Sequence, residues 1–158
     1  MMKALTIHQP YAGLVALGHK PEENRGRRPP QSIIGVRSAI HAGLVTDLLP
    51  DGLWTGPLPD LCAVTGAVVG TGVVCGWVEV NEWTDGPYIA DYYGVSGAEA
   101  IKHMRSKWRI RGHRVLWIYR DCIPLPSPVP CPGQQMLGWT LPPGVEAAVR
   151  GQLSRGAA

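Results

Sequence analysis

Apolar and polar residues alternate weakly from Lys3 to His8, which predicts a strand. Pro10 then suits a first helical turn, Tyr11, Leu14 and Val15 share one helical face, and Gly18 supplies a left-handed residue to end the helix. A helix this short does not hold alone in water, so it must dock on a sheet. Further apolar runs predict strands over residues 33–42, over 64–80 as one long bent strand or two, over 114–119, and in the short MLGWTL. Ser96 and Glu99 have the spacing of a capping box and open a helix that should run to about Lys107, and residues 143–153 form a helix near the C-terminus. Residues 49–59, rich in Pro and Gly, read as a surface excursion, and PLPSPVPCPG is held extended by its prolines.

The run over residues 61–78 is uncharged, near the length of a bilayer span, and carries the small-residue spacings Gly66/Gly70 and Gly72/Gly76. Its acidic flanks Asp60 and Glu79, its Thr and Gly content and its preference for Val over Leu point instead to buried strands interrupted by a turn or bulge. No membrane association is expected. Strands at irregular spacing with inserted helices argue for a mixed α+β fold built on a small β-barrel, with a short helix after the first strand and peripheral helices. Residues 1–142 would form the barrel and residues 143–158 a C-terminal helix and tail.

With 158 residues and 45% hydrophobic content the chain supports one domain with a real core. Its net charge of +3 permits an anionic partner without requiring one. Cys62, Cys75, Cys122 and Cys131 show neither a C-x-x-C pair nor a His at metal spacing, so no metal site is expected. MMKALTIHQP does not have the pattern of a secretory leader, and reduced thiols in the cytoplasm follow as the expectation. No P-loop, dinucleotide fingerprint or Ser-His-Asp pattern is present, so no cofactor is expected.

GHKPEENRGRRPPQS contains no Ala, Val, Leu, Ile, Met, Phe, Tyr or Trp. Period-two alternation puts Glu23, Arg25 and Arg27 on one face and Glu22, Asn24 and Arg28 on the other. Neither set suits an apolar core, so one face should line a wet cleft, or else Glu23 and Arg25 form a structural ion pair. Lys20, at the junction of helix and strand, can hold a phosphate or a base carbonyl as an ammonium, or act as a base or nucleophile as a desolvated amine. Nearby Glu23 and an approaching Glu79 would favour holding. On the next long strand Glu79 shares an alternate face with Cys75 and Trp77, leaving Val74, Val78 and Val80 for the core. Glu79 can accept from a base amine or shuttle protons while Trp77 stacks, or it can be a rim carboxylate paired with an Arg. The run KHMRSKWRIRGHR holds six Lys or Arg around Trp108. Lys102, Arg105 and Lys107 then follow a phosphate track with Trp108 as a base platform, or they form an ordinary solvated face.

IHQPYAGLVALGHKPEENR, with its Q-P dipeptide opening a helix and G-x-K-x-x-E-x-R after it, resembles the ASCH family of PUA-like β-barrels. SAIHAG, the strand ending in Glu79 and PCPGQQMLGW extend the resemblance from about Ala4 to Trp139. It implies a barrel with a cleft beside the first helix and an association with RNA or modified nucleosides. Some similar proteins are acetylcytidine amidohydrolases and others ribonucleases. The amidohydrolase branch tends to carry a hydroxyl residue within the motif, where this chain has Glu23 and Arg25.

Two functional expectations follow. In the first, a monomeric binding module holds single-stranded RNA, a nucleotide or a nucleoside. Lys20, Arg25, His8, Gln9, Pro10, Tyr11 and the helix amides after Gln9 surround the ligand, and Trp77 stacks on it. In the second, a hydrolase uses Lys20 with Glu79 or Glu23. Both require Lys20, Glu23 and Arg25 to converge on one cleft beside the Pro10 helix.

Overall fold

A Val-rich strand buried along most of its length forms the centre of the molecule. The computed structural model describes residues 1–156. In chain order it contains β1 (Lys3–Gln9), α1 (Tyr11–Ala16), β2 (Glu22–Arg25), β3 (Arg37–Thr46), β4 (Ala67–Trp83), β5 (Gly86–Tyr93), α2 (Gly97–Met104), β6 (Val115–Pro130), β7 (Trp139–Thr140) and α3 (Pro143–Gly156). The strands form one curled sheet, a half-barrel, in the order β2-β6-β4-β3-β1-β7. β5 pairs with β4 beyond the stretch that β3 covers. β1 runs parallel to β3, and the other pairings are antiparallel.

The curl has a local cause. β4 shifts register against β6 between Val68 and Gly70, Thr71 and Val73, and Val74 and Gly76, and each bulge adds twist and bends the strand. Inside the curl sits the main core of Leu5, Ile7, Ile40, Val69, Val74, Trp77, Trp117 and Tyr119. α1 docks onto it through Ala12, Val15 and Ala16, which is how so short a helix is held. The outer faces are covered by α2 over Val78, Val80, Leu116 and Ile118, and by α3, whose Val145, Val149 and Leu153 meet Leu125, Val129 and Trp139.

Several expectations change here. The strand expected over residues 33–42 begins at Arg37, after a 3-10 turn at Gln31–Ile33. The strand expected over residues 114–119 and the Pro-rich stretch after it are one strand, β6. Its prolines are tolerated because β2 pairs only with Val115–Ile118, leaving the later outer edge without ladder donors to supply. α2 opens on the Ser96/Glu99 capping box but ends at Met104, short of Lys107. β5 was not anticipated. Among the described residues no helix is long and apolar enough to cross a membrane, and most of the uncharged run over residues 61–78 belongs to β4.

Candidate functional site

The two ends of the half-barrel do not pair with each other through backbone hydrogen bonds. Between β2, at one end, and β1, next to the other, lies a cleft of about 520 Å³ beside α1. Lys20, Glu23 and Arg25 all line it.

Gly18, with φ of 77°, turns the chain out of α1, and the amides of His19 and Lys20 both donate to Leu14 O. This turn carries Lys20 inward, where its side chain is 1% exposed. Nζ donates to Glu22 O and, at 2.8 Å, to Glu23 Oε2, and it lies 5.2 Å from the centre of the Tyr11 ring. Both partners are acceptors, so Nζ is the donor in each contact. On the other side of Glu23, Arg25 brings Nε to 3.4 Å from Oε1, stacks 5.5 Å from the Trp117 ring and donates from Nη2 to Thr6 O at 2.9 Å. The floor therefore sets two cations against one carboxylate. Burial, followed by the fields of Asp47 and Glu23, raises the Tyr11 phenol above its usual pKa, so Tyr11 is a neutral donor at the cleft. At the mouth stand His113 and the exposed His8, whose Nδ1 lies 3.2 Å from Asp47 Oδ2.

The alternation expected over residues 22–28 holds only in part, because β2 ends at Arg25 and Asn24 lines the cleft together with Glu23 and Arg25. Glu22 turns away from the cleft beneath α2, where Oε1 lies 2.7 Å from His103 Nδ1. Asn24 Nδ2 donates to Trp108 O and its Oδ1 accepts from the Ile110 amide, both at 2.8 Å, so it fixes the loop that walls the cleft. His103 and Asn24 were missed as partners because they act across about eighty residues of chain. No local spacing signals such a contact.

Other expected site residues lie elsewhere. Gln9 is fully buried, donates to Leu61 O and Val64 O and accepts from the Gly13 amide, so its amide group is spent on structure. The Gly13 amide is thereby occupied as well. Pro10 is buried at the start of α1 and does not line the cleft. Glu79 does not approach Lys20: Oε2 meets Arg28 Nη2 at 2.6 Å and Oε1 meets Arg114 at 3.5 Å. The bulge after Val74 puts Trp77 in the main core with Val74 and sends Cys75 toward Val78 and Val80, against the strict alternation expected. Arg28 covers the Trp77 ring at 4.1 Å, so Trp77 offers no open stacking face there.

The basic run also divides. Lys102 and Arg105 are exposed and do not line the cleft, while Trp108 is buried against Leu14 and Cys62. Trp108 is therefore core packing and not a base platform. Lys107 lies 4.8 Å from the centre of the Trp108 ring, donates to Leu53 O, and lines a second hollow of about 710 Å³ that shares Tyr11, Asp47 and Ile110 with the cleft. The four cysteines are free thiols, and burial pushes those of Cys62 and Cys122 up to about 11. They are therefore poor nucleophiles near neutrality. No family model matches the chain, and no curated protein matches it in sequence.

Proposed function

We propose that the protein holds one nucleotide or nucleoside, free or carried in single-stranded RNA, in the cleft lined by Lys20, Glu23 and Arg25. The observation that carries this reading is the pair of cations on the cleft floor, which share Glu23, while a second carboxylate, Asp47, lines the same cleft beside His8. Lys20 and Arg25 share a single carboxylate in a cleft whose volume lies within the roughly 300–1,000 Å³ of small-ligand sites. A phosphate or a base carbonyl offers these cations a further acceptor, and a Lys20 Nζ already oriented by two acceptors is held in place before the ligand arrives. Tyr11 adds a ring and a neutral hydroxyl, and His113 adds a polar group at the mouth. The resemblance of the motif to ASCH-type barrels supports the same ligand class.

A hydrolytic reading draws on one observation, the direct contact of Lys20 with Glu23. There Lys20 would polarise an acyl carbonyl while Glu23 passes a proton from water to the departing amine. One experiment separates the readings. The protein is titrated with the ribonucleoside 5′-monophosphates and with N4-acetylcytidine, followed by backbone and side-chain NMR and by chromatography of the nucleoside. Binding without product, with shifts confined to the surroundings of Tyr11, Lys20, Arg25 and His113, is the expected result. Release of acetate moves the assignment to the hydrolase. Absence of any shift at millimolar ligand overturns the cleft as a nucleotide site.

A further inference from the structure

Trp83 is 68% exposed at the end of β4, and its ring is paired with Tyr88, also exposed, at 6.3 Å and an interplanar angle of 44°. An indole so exposed contributes little to the core, yet its surroundings are well fixed. Between this hairpin and the loop that follows α2 lies a hollow of about 420 Å³ lined by Asn81, Trp83, His113, Arg114 and Glu82, whose carboxylate is paired with Arg109. His113 also lines the cleft, so the two depressions are neighbours along one surface.

The loop ties them together. Asn24 holds it at Trp108 and Ile110, Arg109 pairs with Glu82 on the hairpin, and the Val80 amide donates to Arg114 O at 2.7 Å. The cleft wall and the hairpin are thus held in one arrangement before any ligand binds. Arg114 is 65% exposed and meets Glu79 at only 3.5 Å, so its guanidinium can turn toward a new anion at small cost.

We propose that this surface is a track for a single-stranded nucleic acid. One nucleotide sits in the cleft, the next phosphate passes His113 and Arg114, and the neighbouring base stacks on Trp83. The inference rests on the nucleotide reading of the cleft and adds to it the surface that the rest of a strand would follow. Exposed aromatic rings beside cations are what sequence-tolerant strand binding requires: the ring takes the face of any base, and the cations follow the backbone. A protein partner would also cover an exposed indole. The continuity with a cation-floored cleft and the presence of Arg114 and His113 in the hollow favour the polyanion.

The test compares a nucleoside 5′-monophosphate with a short mixed-sequence strand, supplied as RNA and as DNA, on the wild-type chain and on Trp83→Ala and Arg114→Gln. The strand should bind more tightly than the monophosphate. Trp83→Ala should weaken the strand about five- to a hundred-fold, the effect of losing one stacked base, and leave the monophosphate unchanged. Arg114→Gln should reduce the slope of log affinity against log salt by about 0.7. Whichever strand, RNA or DNA, carries the Trp83 dependence identifies the source. A strand that binds no tighter than the monophosphate, or is indifferent to Trp83, overturns the track while leaving the cleft reading intact. If neither ligand binds, the cleft reading falls and the track with it. If Trp83→Ala instead changes the mass of the particle in light scattering with no effect on strand affinity, the hairpin is a protein-docking surface and the proposal is overturned.

Discussion

Glu23 stands between two cations, and its removal has a different meaning from theirs. With Lys20 1% and Glu23 12% exposed, the pair has left bulk water, and each charge depends on the other to offset its desolvation. Glu23→Leu leaves the Lys20 ammonium with Glu22 O but no counter-charge, and should lower stability by about 3–5 kcal/mol. Lys20→Met costs less, because Glu23 keeps Arg25 at 3.4 Å. The double replacement should cost clearly less than the sum of the single ones, since two apolar side chains satisfy one another where a lone ion does not. Urea denaturation of the four proteins checks this, and additive losses would show that the pair is no coupled unit.

At the scale of elements, α1 is positioned by close approach more than by its own length. A Cβ built on Gly70 would lie 2.7 Å from Ala16 Cβ and 2.9 Å from Ile123 O, so the helix and β6 both press on a position of β4 that lacks a side chain. Gly70→Ala should cost about 1–3 kcal/mol by overpacking and, by lifting the helix that sets Tyr11 and Lys20, should weaken ligand binding as well. Gly151→Ala in α3, where an added Cβ meets nothing within 4 Å, should instead be neutral or gain up to about 1 kcal/mol. Thermal melts of the two variants give the contrast.

The same elements mark how far the sequence can be read. α1, the capping box of α2, the α3 helix and the long β4 were legible because each is written in a local period or cap. β5 was not, since GPYIADYY is exposed on almost every residue and carries no burial alternation. Only the Asp85-Gly86 turn signal announced it. Trp77 was placed on the wrong face because a bulge between Val74 and Gly76 breaks the period of two, and nothing local announces where a ladder slips. The cleft residues Lys20, Glu23 and Arg25 were legible as polar positions with no core to enter. The separation of Glu79 from Lys20 was not, because it depends on which arginine reaches Glu79 first in space, and that arginine is Arg28.

For the whole molecule, the cleft exists because the sheet stops short of closing. β2 has β6 on one side and the cleft on the other, and Arg25 spans that gap by donating to Thr6 O of β1 at 2.9 Å while its guanidinium carbon lies 5.5 Å from the centre of the Trp117 ring. A single guanidinium thus serves as floor of the cleft and as strap across the seam, and the two roles can be separated by what each perturbs. Arg25→Leu keeps an apolar stem near Trp117 and removes both the strap and one cation. The amides of β2 and β1 should then exchange faster with deuterium, because local opening at the seam no longer breaks a charge-assisted bond. The amides of β4, bonded on both sides by β3 and β6, and those of α3, which packs on a different cluster, should keep their protection. Arg25→Lys should not restore the strap, since a lysine ammonium lacks the planar fork that reaches Thr6 O, Glu23 and the Trp117 face together. Saturating nucleoside monophosphate should slow seam exchange in the wild type by bridging β1 and β2 through the cleft. Faster exchange spread evenly over the sheet in Arg25→Leu would mean that the residue supports global stability alone, and unchanged exchange at β1 and β2 would mean that the seam holds without it.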